Sequence, residues 1–462
     1  MKMSDISWQE RYRAPFIYTL RCRIDDKVGA LASLMTAISA TNTHVGDIAV
    51  AGVDETTKIR DIQIFCTGEK QLDEVVGAVK KVKGIELIDV CDEVLKIHFR
   101  GMIETHSRVP IDSLTALRLV YTPGVAAMCH RIVRDPSQAR EITGICDRVA
   151  IVTNGTAVLG LGDIGTLASL PVMEGKAAIF AEFAGISAET VLVNSKDVST
   201  VVETVAMIAE SFGAIQLEDI AAPTCFAIEE QLQERLNIPV LHDDQHGTAT
   251  VLLAALINAL KMTGRKVADC SALILGAGAA GYAIAMILRH FGIGDIVIYD
   301  SAGPIYRGRT SHMNPYKQKL AELTNKENIK DALAEGFKGK DIFIGVAQPN
   351  MVTQTMIASM ARNPLVFPLS NPVGEISVDD ALKAGAAVAA DGRAINNALA
   401  YPGLFRGALD ATAGDITFEM RLAAAYKLAE LSPAGSLLPN MLDRNVHKQV
   451  AQVTAEAWKK NN

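Results

Sequence analysis

The chain has no excess of positive charge. Its 45 Lys and Arg stand against 52 Asp and Glu, a formal net charge of −7, so no basic field draws in a phosphodiester backbone and a nucleic-acid partner is excluded. It also lacks a CxxC pair and any Cys/His cluster at zinc spacing. The seven cysteines (22, 66, 91, 129, 146, 225 and 270) are odd in number and scattered, which argues against a disulfide framework and structural zinc and fits a reducing cytoplasm. No uncharged apolar run reaches the roughly 18 residues a membrane span needs. The start, MKMSDISWQERYR, is polar and has no signal-peptide h-region, so neither a membrane partner nor export is expected. What is present is length and apolar mass: 462 residues, 49% of them hydrophobic. At roughly 150 residues per domain that predicts about three domains with real cores, and it excludes disordered, collagen-like and disulfide-stapled classes.

Residues 14–92 read as a small α+β unit. A strand from Phe16 to Ile24 alternates apolar and charged residues, and Ala30–Ser39 places Leu31, Leu34, Met35 and Ile38 at helical spacing. Strands around Val45–Val53 and Lys58–Cys66, a helix from Glu69 to Val82 and a strand near Ile85–Val90 complete the order βαββαβ, which is ferredoxin-like. In that order and in its DDKVGAL turn the segment resembles an ACT domain, a regulatory module for amino acids or similar metabolites. The resemblance implies an allosteric role, with an amino acid or other small carboxylate held near Asp25, Gly29 and Leu31, where free N–H groups at a helix start can take an anion. The plainer alternative is a ferredoxin-like appendage in which Gly29 only makes the turn.

Beyond residue 93 the pattern becomes α/β, with an expected substrate and metal domain over 93–265, a doubly wound Rossmann domain over 266–440 and a helical tail over 441–462. Two GxGxxG strings occur. Gly276, Gly278 and Gly281, with Ala279 and Ala280 between them, follow a strand at Ala272–Leu275 and open a helix; the next strand, Asp295–Tyr299, ends in Asp300. Strand, glycines, helix and acid together make a dinucleotide site. Asp300 would repel a 2′-phosphate, so NAD is favoured, with NADP possible because Arg307 and Arg309 follow closely. The other string, Gly160, Gly162 and Gly165, is followed by Pro171 and Gly175, which are expected to cut short any helix; a tight loop near the active site fits it better.

Two middle-domain strands end in paired acids, Glu218 with Asp219 and Asp243 with Asp244. Acids at the carboxyl ends of neighbouring parallel strands can converge, and three or four hard oxygens suit Mg²⁺ or Mn²⁺. Alternatively Asp243 or Asp244 caps a helix expected to begin near Thr248. Lys176 sits in the apolar run MEGKAAIFAEFAG, as a snorkelling surface residue or as a desolvated base of lowered pKa. Tyr121, before Thr-Pro-Gly, is a turn residue or a catalytic phenol.

These segments together, YTPGVA, TNGTAVLGLGDIG, EGKAAIFAEFAG, LEDI, HDDQHGTA, GAGAAG, LSNP and INNALAYPG, resemble the malic enzymes over about residues 93–440, in family order. The resemblance implies oxidative decarboxylation of L-malate to pyruvate and CO₂ with NAD and a divalent metal. Carried over motif by motif, it makes Lys176 the general base, Tyr121 the general acid, and Glu218, Asp219 and Asp244 the metal ligands. It sets Asp243 beside the lysine, and Asn371, Asn396 and Asn397 near malate or the nicotinamide. A departure is Ala157, which stands where the large eukaryotic branch has a carboxylate-gripping arginine. A malolactic enzyme, which keeps its cofactor and releases lactate, shares this site chemistry; a non-catalytic metabolite sensor would need none of it. A homodimer or homotetramer in the cytoplasm is the expectation by resemblance and base rate.

Overall fold

The computed structural model describes residues 16–461; the N-terminal segment on which the export expectation rests lies outside the described residues. Among these, no helix is long and apolar enough to cross a membrane. The chain divides into two compact units, Met1–Glu104 and Thr105–Asn462.

The first unit runs β1 (Phe16–Asp25), α1 (Ala30–Ser39), β2 (His44–Val53), β3 (Thr57–Cys66), α2 (Glu69–Val79), β4 (Ile85–Asp92) and a short α3 (Glu93–His98). Its antiparallel sheet has the order β2-β3-β1-β4, the ferredoxin-like arrangement that the element order predicts. Period-two alternation buries Leu20, Cys22 and Ile24 of β1 against Leu34 and Ile38 of α1 and Val75 and Val79 of α2. Gly29, at φ +86°, caps α1 in the left-handed region, where a side chain would be strained.

The second unit opens with α4 (Leu114–Val120), α5 (Gly124–Arg134) and α6 (Gln138–Ile142). Then come β5 (Arg148–Thr153), α7 (Thr166–Ala184), β6 (Ser187–Leu192), α8 (Val198–Ile208), β7 (Ala214–Leu217), α9 (Thr224–Arg235), β8 (Val240–His242) and α10 (Asp243–Thr263). The four strands form a parallel sheet in the order β6-β5-β7-β8. A second sheet, β11-β10-β9-β12-β13-β14, is built from β9 (Ser271–Leu275), β10 (Asp295–Asp300), β11 (Gly303–Pro304), β12 (Ile342–Gly345), β13 (Leu365–Pro368) and β14 (Val388–Ala389). It is parallel except for β11. Around it lie α11 (Ala279–Phe291), α12 (Pro315–Leu323), α13 (Leu333–Gly336), α14 (Gln354–Ala358), α15 (Val378–Lys383), α16 (Tyr401–Asp410), α17 (Phe418–Leu431) and α18 (Arg444–Asn461). Helix α10 is buried along most of its length, and its residues share one core with β5, β8, β9 and α16. A helix apolar on every side is one that is enclosed; this one locks the two sheets together and fixes the crevice between them.

Two local expectations fail here. Pro171 and Gly175 do not cut short a helix, because α7 runs 19 residues through both. A proline inside a helix costs about 3 kcal/mol and a glycine about 1 kcal/mol, yet α7 buries Met173, Ala177 and Phe180 against β5, β6 and α16, and packing outweighs propensity. The second is the helix expected from Thr248, which begins at Asp243, so both acids of that pair occupy its first turn, where the helix dipole favours carboxylates.

Candidate functional site

The parallel strands of the first sheet deliver their acids to one crevice. Glu218 and Asp219 leave β7, and Asp244 lies in the first turn of α10, directly after β8. One carboxylate oxygen from each lies within 4.8 Å of the others. Asp219 adopts a left-handed backbone, φ +53°, and its N–H donates to Asp244 Oδ2 at 2.8 Å. That kink aims the acids inward. Gln216 donates to Glu218 Oε2 at 2.7 Å, whereas Asp219 Oδ2 is buried with no protein partner.

Helix α7 brings Lys176 to the same place. Its ammonium reaches Glu218 Oε1 at 3.0 Å and Asp243 Oδ2 more closely still, and it lies 4.5 Å from the centre of the Tyr401 ring. Four acids around one lysine are more negative charge than a buried site tolerates. Burial raises Glu218 and Asp243 to about 7, Asp219 to about 8 and Asp244 to about 6. For Lys176, burial alone would lower the pKa, as its sequence setting suggests, but the Asp243 and Glu218 carboxylates outweigh it and hold the ammonium well above the usual range. The lysine is therefore not a lowered-pKa base in this charge state. Surplus negative charge, an orphaned buried carboxylate oxygen and an all-oxygen donor set fit a divalent cation of the Mg²⁺ or Mn²⁺ kind.

Lys176, Glu218, Asp219 and Asp244 line a cavity of about 340 Å³ together with Ala157, Leu159, Gly160, Asn371, Asn396 and Asn397. The GLGDIG string is thus a loop at the active cavity. Gly160, at φ +74°, runs so close to Asn371 that a methyl group on it would lie 2.6 Å from the Asn371 carbonyl. Asn396 also caps the turn at Asn397–Leu399, accepting from Ala398 N–H at 2.9 Å, so it is partly committed to structure. Lys176 is the one basic residue among the cavity's described lining, in keeping with Ala157 where an arginine clamp was sought.

The dinucleotide fingerprint has the expected form. Gly276, at φ +115°, passes the Val346 carbonyl so closely that a Cβ would lie 2.5 Å from it; Gly281 abuts the Gly276 carbonyl, and the space over Gly278 is open. Helix α11 starts at Ala279, and Ala280 lines the Lys176 cavity as well. A second cavity, about 350 Å³, extends from Gly276 and Gly278 past Asp300 and Ser301 to Asn314, Tyr316 and Lys317. Asp300 is already engaged. Arg309 Nη2 sits 2.8 Å from both its oxygens, Lys317 Nζ 2.7 Å from Oδ2, and Ala302 N–H 2.9 Å from Oδ1. Burial would raise its pKa, but those cations hold it below the ordinary range. Arg307 instead donates to the Glu322 carbonyl, so of the two arginines flanked as possible contributors only Arg309 reaches this acid.

One expected residue is absent from the site. Tyr121 ends α4, is 69% exposed, and does not line the Lys176 cavity. The phenol that does adjoin the lysine, Tyr401, was not singled out from the sequence. It lies in INNALAYPG, is fully buried, and its hydroxyl has no protein partner; a polar residue in an apolar run was the only available signal. In the first unit, Asp25 accepts from Lys27 at 2.9 Å and Gly29 has open space beside it, while Leu31 packs partly on the core. The cavity found there is bounded by Met35, Thr36, Ser39 and Ala40 instead.

Two family profiles match, the malic enzyme N-terminal domain over residues 100–200 and the malic enzyme NAD binding domain over 245–459. An NAD-dependent malic enzyme of Geobacillus stearothermophilus is 41% identical, across 95% of this chain and 94% of its own length. A bifunctional malic/malolactic enzyme of Bacillus subtilis is 44% identical across 79% of this chain and 92% of its own. The crystal structure of an NAD-dependent malic enzyme from Thermotoga maritima superposes with a TM-score of 0.76 at 38% identity, covering 79% of this chain and 99% of that one.

Proposed function

The chain belongs to the malic enzyme family, and from that premise we propose how its residues carry out the reaction. It is an NAD-dependent enzyme that oxidatively decarboxylates malate to pyruvate and CO₂. The observation that carries the site assignment is the convergence of Lys176, Glu218, Asp219 and Asp244 on one cavity that Ala280 of the dinucleotide helix also lines.

Glu218, Asp219 and Asp244 would hold the divalent ion. When bound, that ion supplies Lewis acidity at the C2 oxygen and draws the charge of Glu218 away from Lys176. Once Lys176 Nζ has passed its own proton to Asp243, it would take the C2 hydroxyl proton, the dinucleotide supplying the hydride acceptor for oxidation at C2. Asp243 Oδ2, hydrogen-bonded to Nζ and raised to about 7, orients the lysine and is basic enough to share its proton. Gly276, Gly278, Ala279, Ala280, Gly281 and Asp300 seat the dinucleotide, with the pyrophosphate at the start of α11. Asn371 and Asn397, with Asn396 behind them, bind malate or the nicotinamide amide. Loss of CO₂ from C4 leaves an enol; its motif makes Tyr121 the candidate acid for C3, although in this chain that residue stands exposed outside the Lys176 cavity. The first unit serves as an ACT-type regulatory module with its effector near Asp25, Gly29 and Leu31, a reading supported by its βαββαβ order and sheet order. The domain division at 14–92, 93–265, 266–440 and 441–462 and a cytoplasmic homodimer or homotetramer complete the proposal.

Purified protein with L-malate, Mn²⁺ and NAD⁺ tests it, with NADH followed by absorbance and pyruvate and lactate quantified at the end. Stoichiometric NADH and pyruvate are expected. Lactate without free NADH would instead reveal the malolactic outcome, a reading favoured by the bifunctional relative at 44% identity. Unchanged kinetics across a panel of amino acids and small carboxylates would refute the regulatory assignment.

A further inference from the structure

Glu375, between β13 and α15, is fully buried and forms no ion pair with any described residue. An enclosed carboxylate without a counter-cation is costly, and an apolar side chain of similar size would fill the space without that cost. The chain instead makes room for it: a Cβ on Gly345, the last residue of β12, would lie 2.3 Å from the Glu375 carboxyl group. What this carboxylate does is join two loops. Oε1 accepts from Ala347 N–H at 2.7 Å, in the loop leaving β12, and Oε2 accepts from Ser370 N–H at 3.3 Å, in the loop leaving β13. The Ser370 hydroxyl also donates to the Ala347 carbonyl at 3.4 Å, and Val352 N–H donates to the Glu375 carbonyl at 3.0 Å. Because β12 and β13 are parallel neighbours, both loops emerge on the side of the sheet where open α/β folds bind their ligands. Ala347 lines the dinucleotide cavity and the Lys176 cavity alike, and Ser370 and Asn371 line the second.

We infer that Glu375 is a positioning residue for the oxidation step: by holding the Ala347 and Ser370 backbones together it fixes the wall shared by the two cavities, and with it the direction of Asn371. The inference rests on the malate reading of this crevice. The geometry calls for a carboxylate in particular. Two N–H groups from different loops each aim at a different oxygen of one carboxyl group, whereas an amide offers a single acceptor and turns its NH₂ against the other N–H. Aspartate is one methylene shorter and does not span both. Bonds to an ionised acceptor are also the stronger kind, which suits a clamp between loops that no strand pairing continues into. The shared wall lies where cofactor and substrate would meet, and a misplacement of about 1 Å there costs on the order of 10² in rate.

The test is Glu375→Gln, which keeps the volume beside Gly345 and removes one acceptor. In a single turnover with Mn²⁺, NAD⁺ and malate, followed as NADH absorbance in stopped flow, the rate constant of the step that slows when malate is deuterated at C2 should fall about 10–100-fold. The affinity for Mn²⁺ and the melting temperature should stay at the wild-type values, because the metal acids belong to the other sheet. A merely structural role would lower the amplitude, which counts active chains, and leave that rate constant alone. An unchanged rate constant therefore overturns the inference, whatever the amplitude. Should the amide variant fail to fold, Glu375→Asp, which keeps the charge and loses the span, gives the same comparison of rate with amplitude. If the wild type itself reduces no NAD⁺ with malate, it is the malate reading that fails, and calorimetric titration with NAD⁺ decides the role of Glu375 separately: binding about tenfold weaker in the variant, the loss of one charge-assisted bond, supports it, and equal affinity refutes it.

Discussion

Replacing Asp219 by Asn should make the metal-free protein more stable while weakening its response to metal. Asp219 is 3% exposed, has an orphaned Oδ2, and shares its crevice with Glu218 and Asp244. Its pKa is raised from 3.8 to about 8, first by burial and then by the Asp244 and Glu218 charges. A raised acid binds its proton more tightly in the folded chain than in the unfolded one. Stability from that source is therefore complete below about pH 4 and is lost as pH rises through about 8. Each pKa unit is worth about 1.4 kcal/mol, but protonating one acid of the three relieves the others, so neutralising Asp219 alone should return about 1–3 kcal/mol at pH 8. At roughly 2 °C per kcal/mol for a chain this large, metal-free Asp219→Asn should melt about 2–6 °C above metal-free wild type at pH 8, and the gap should narrow as pH falls and close at about pH 4. Asparagine keeps the volume and tolerates the left-handed φ of +53°, so the backbone is not the variable. Mn²⁺ at about a hundred times its Kd should stabilise wild type by about 2.7 kcal/mol and the variant by much less, with proton release on binding measurable by calorimetry in two buffers. A variant that melts below wild type at pH 8 without metal, or a wild type indifferent to Mn²⁺, would refute the electrostatic reading.

Lys176→Ala should lower kcat by about 10²–10⁴ with the circular dichroism spectrum unchanged; near-normal turnover would remove the lysine from the mechanism. Lys317→Gln takes away one of the two cations that neutralise Asp300. Its kcat/KM for NADP⁺ should fall about tenfold relative to NAD⁺, the loss of one charge-assisted bond, and an equal fall for both cofactors would show that Lys317 does not meet the 2′ position. Gly281→Ala forces a methyl against the Gly276 carbonyl and should abolish NAD⁺ binding in a fluorescence titration while leaving Mn²⁺ binding intact; unchanged cofactor affinity would mean the turn relaxes freely.

Much of this was already written in the sequence, and the reason is local physics. The dinucleotide turn needs glycines because a Cβ at Gly276 or Gly281 has nowhere to go, so its spacing is fixed residue by residue. The ferredoxin-like unit follows from side-chain alternation in β1 and β3 and from helical periodicity in α1, which each element carries within itself. The acids at the ends of β7 and β8 could be anticipated to converge because parallel strands must end on the same side. What depended on partners distant in the chain was not legible. Whether α7 survives Pro171 is decided by β5, β6 and α16 packing around it. The Lys176 pKa direction is set by Asp243, 67 residues away, and the neutralisation of Asp300 by the loop that returns Arg309 and Lys317 to it. Tyr121 is the clearest case. Its motif marks it for chemistry, but position in a motif carries no information on distance, and only the tertiary structure places it on an exposed surface, outside the Lys176 cavity.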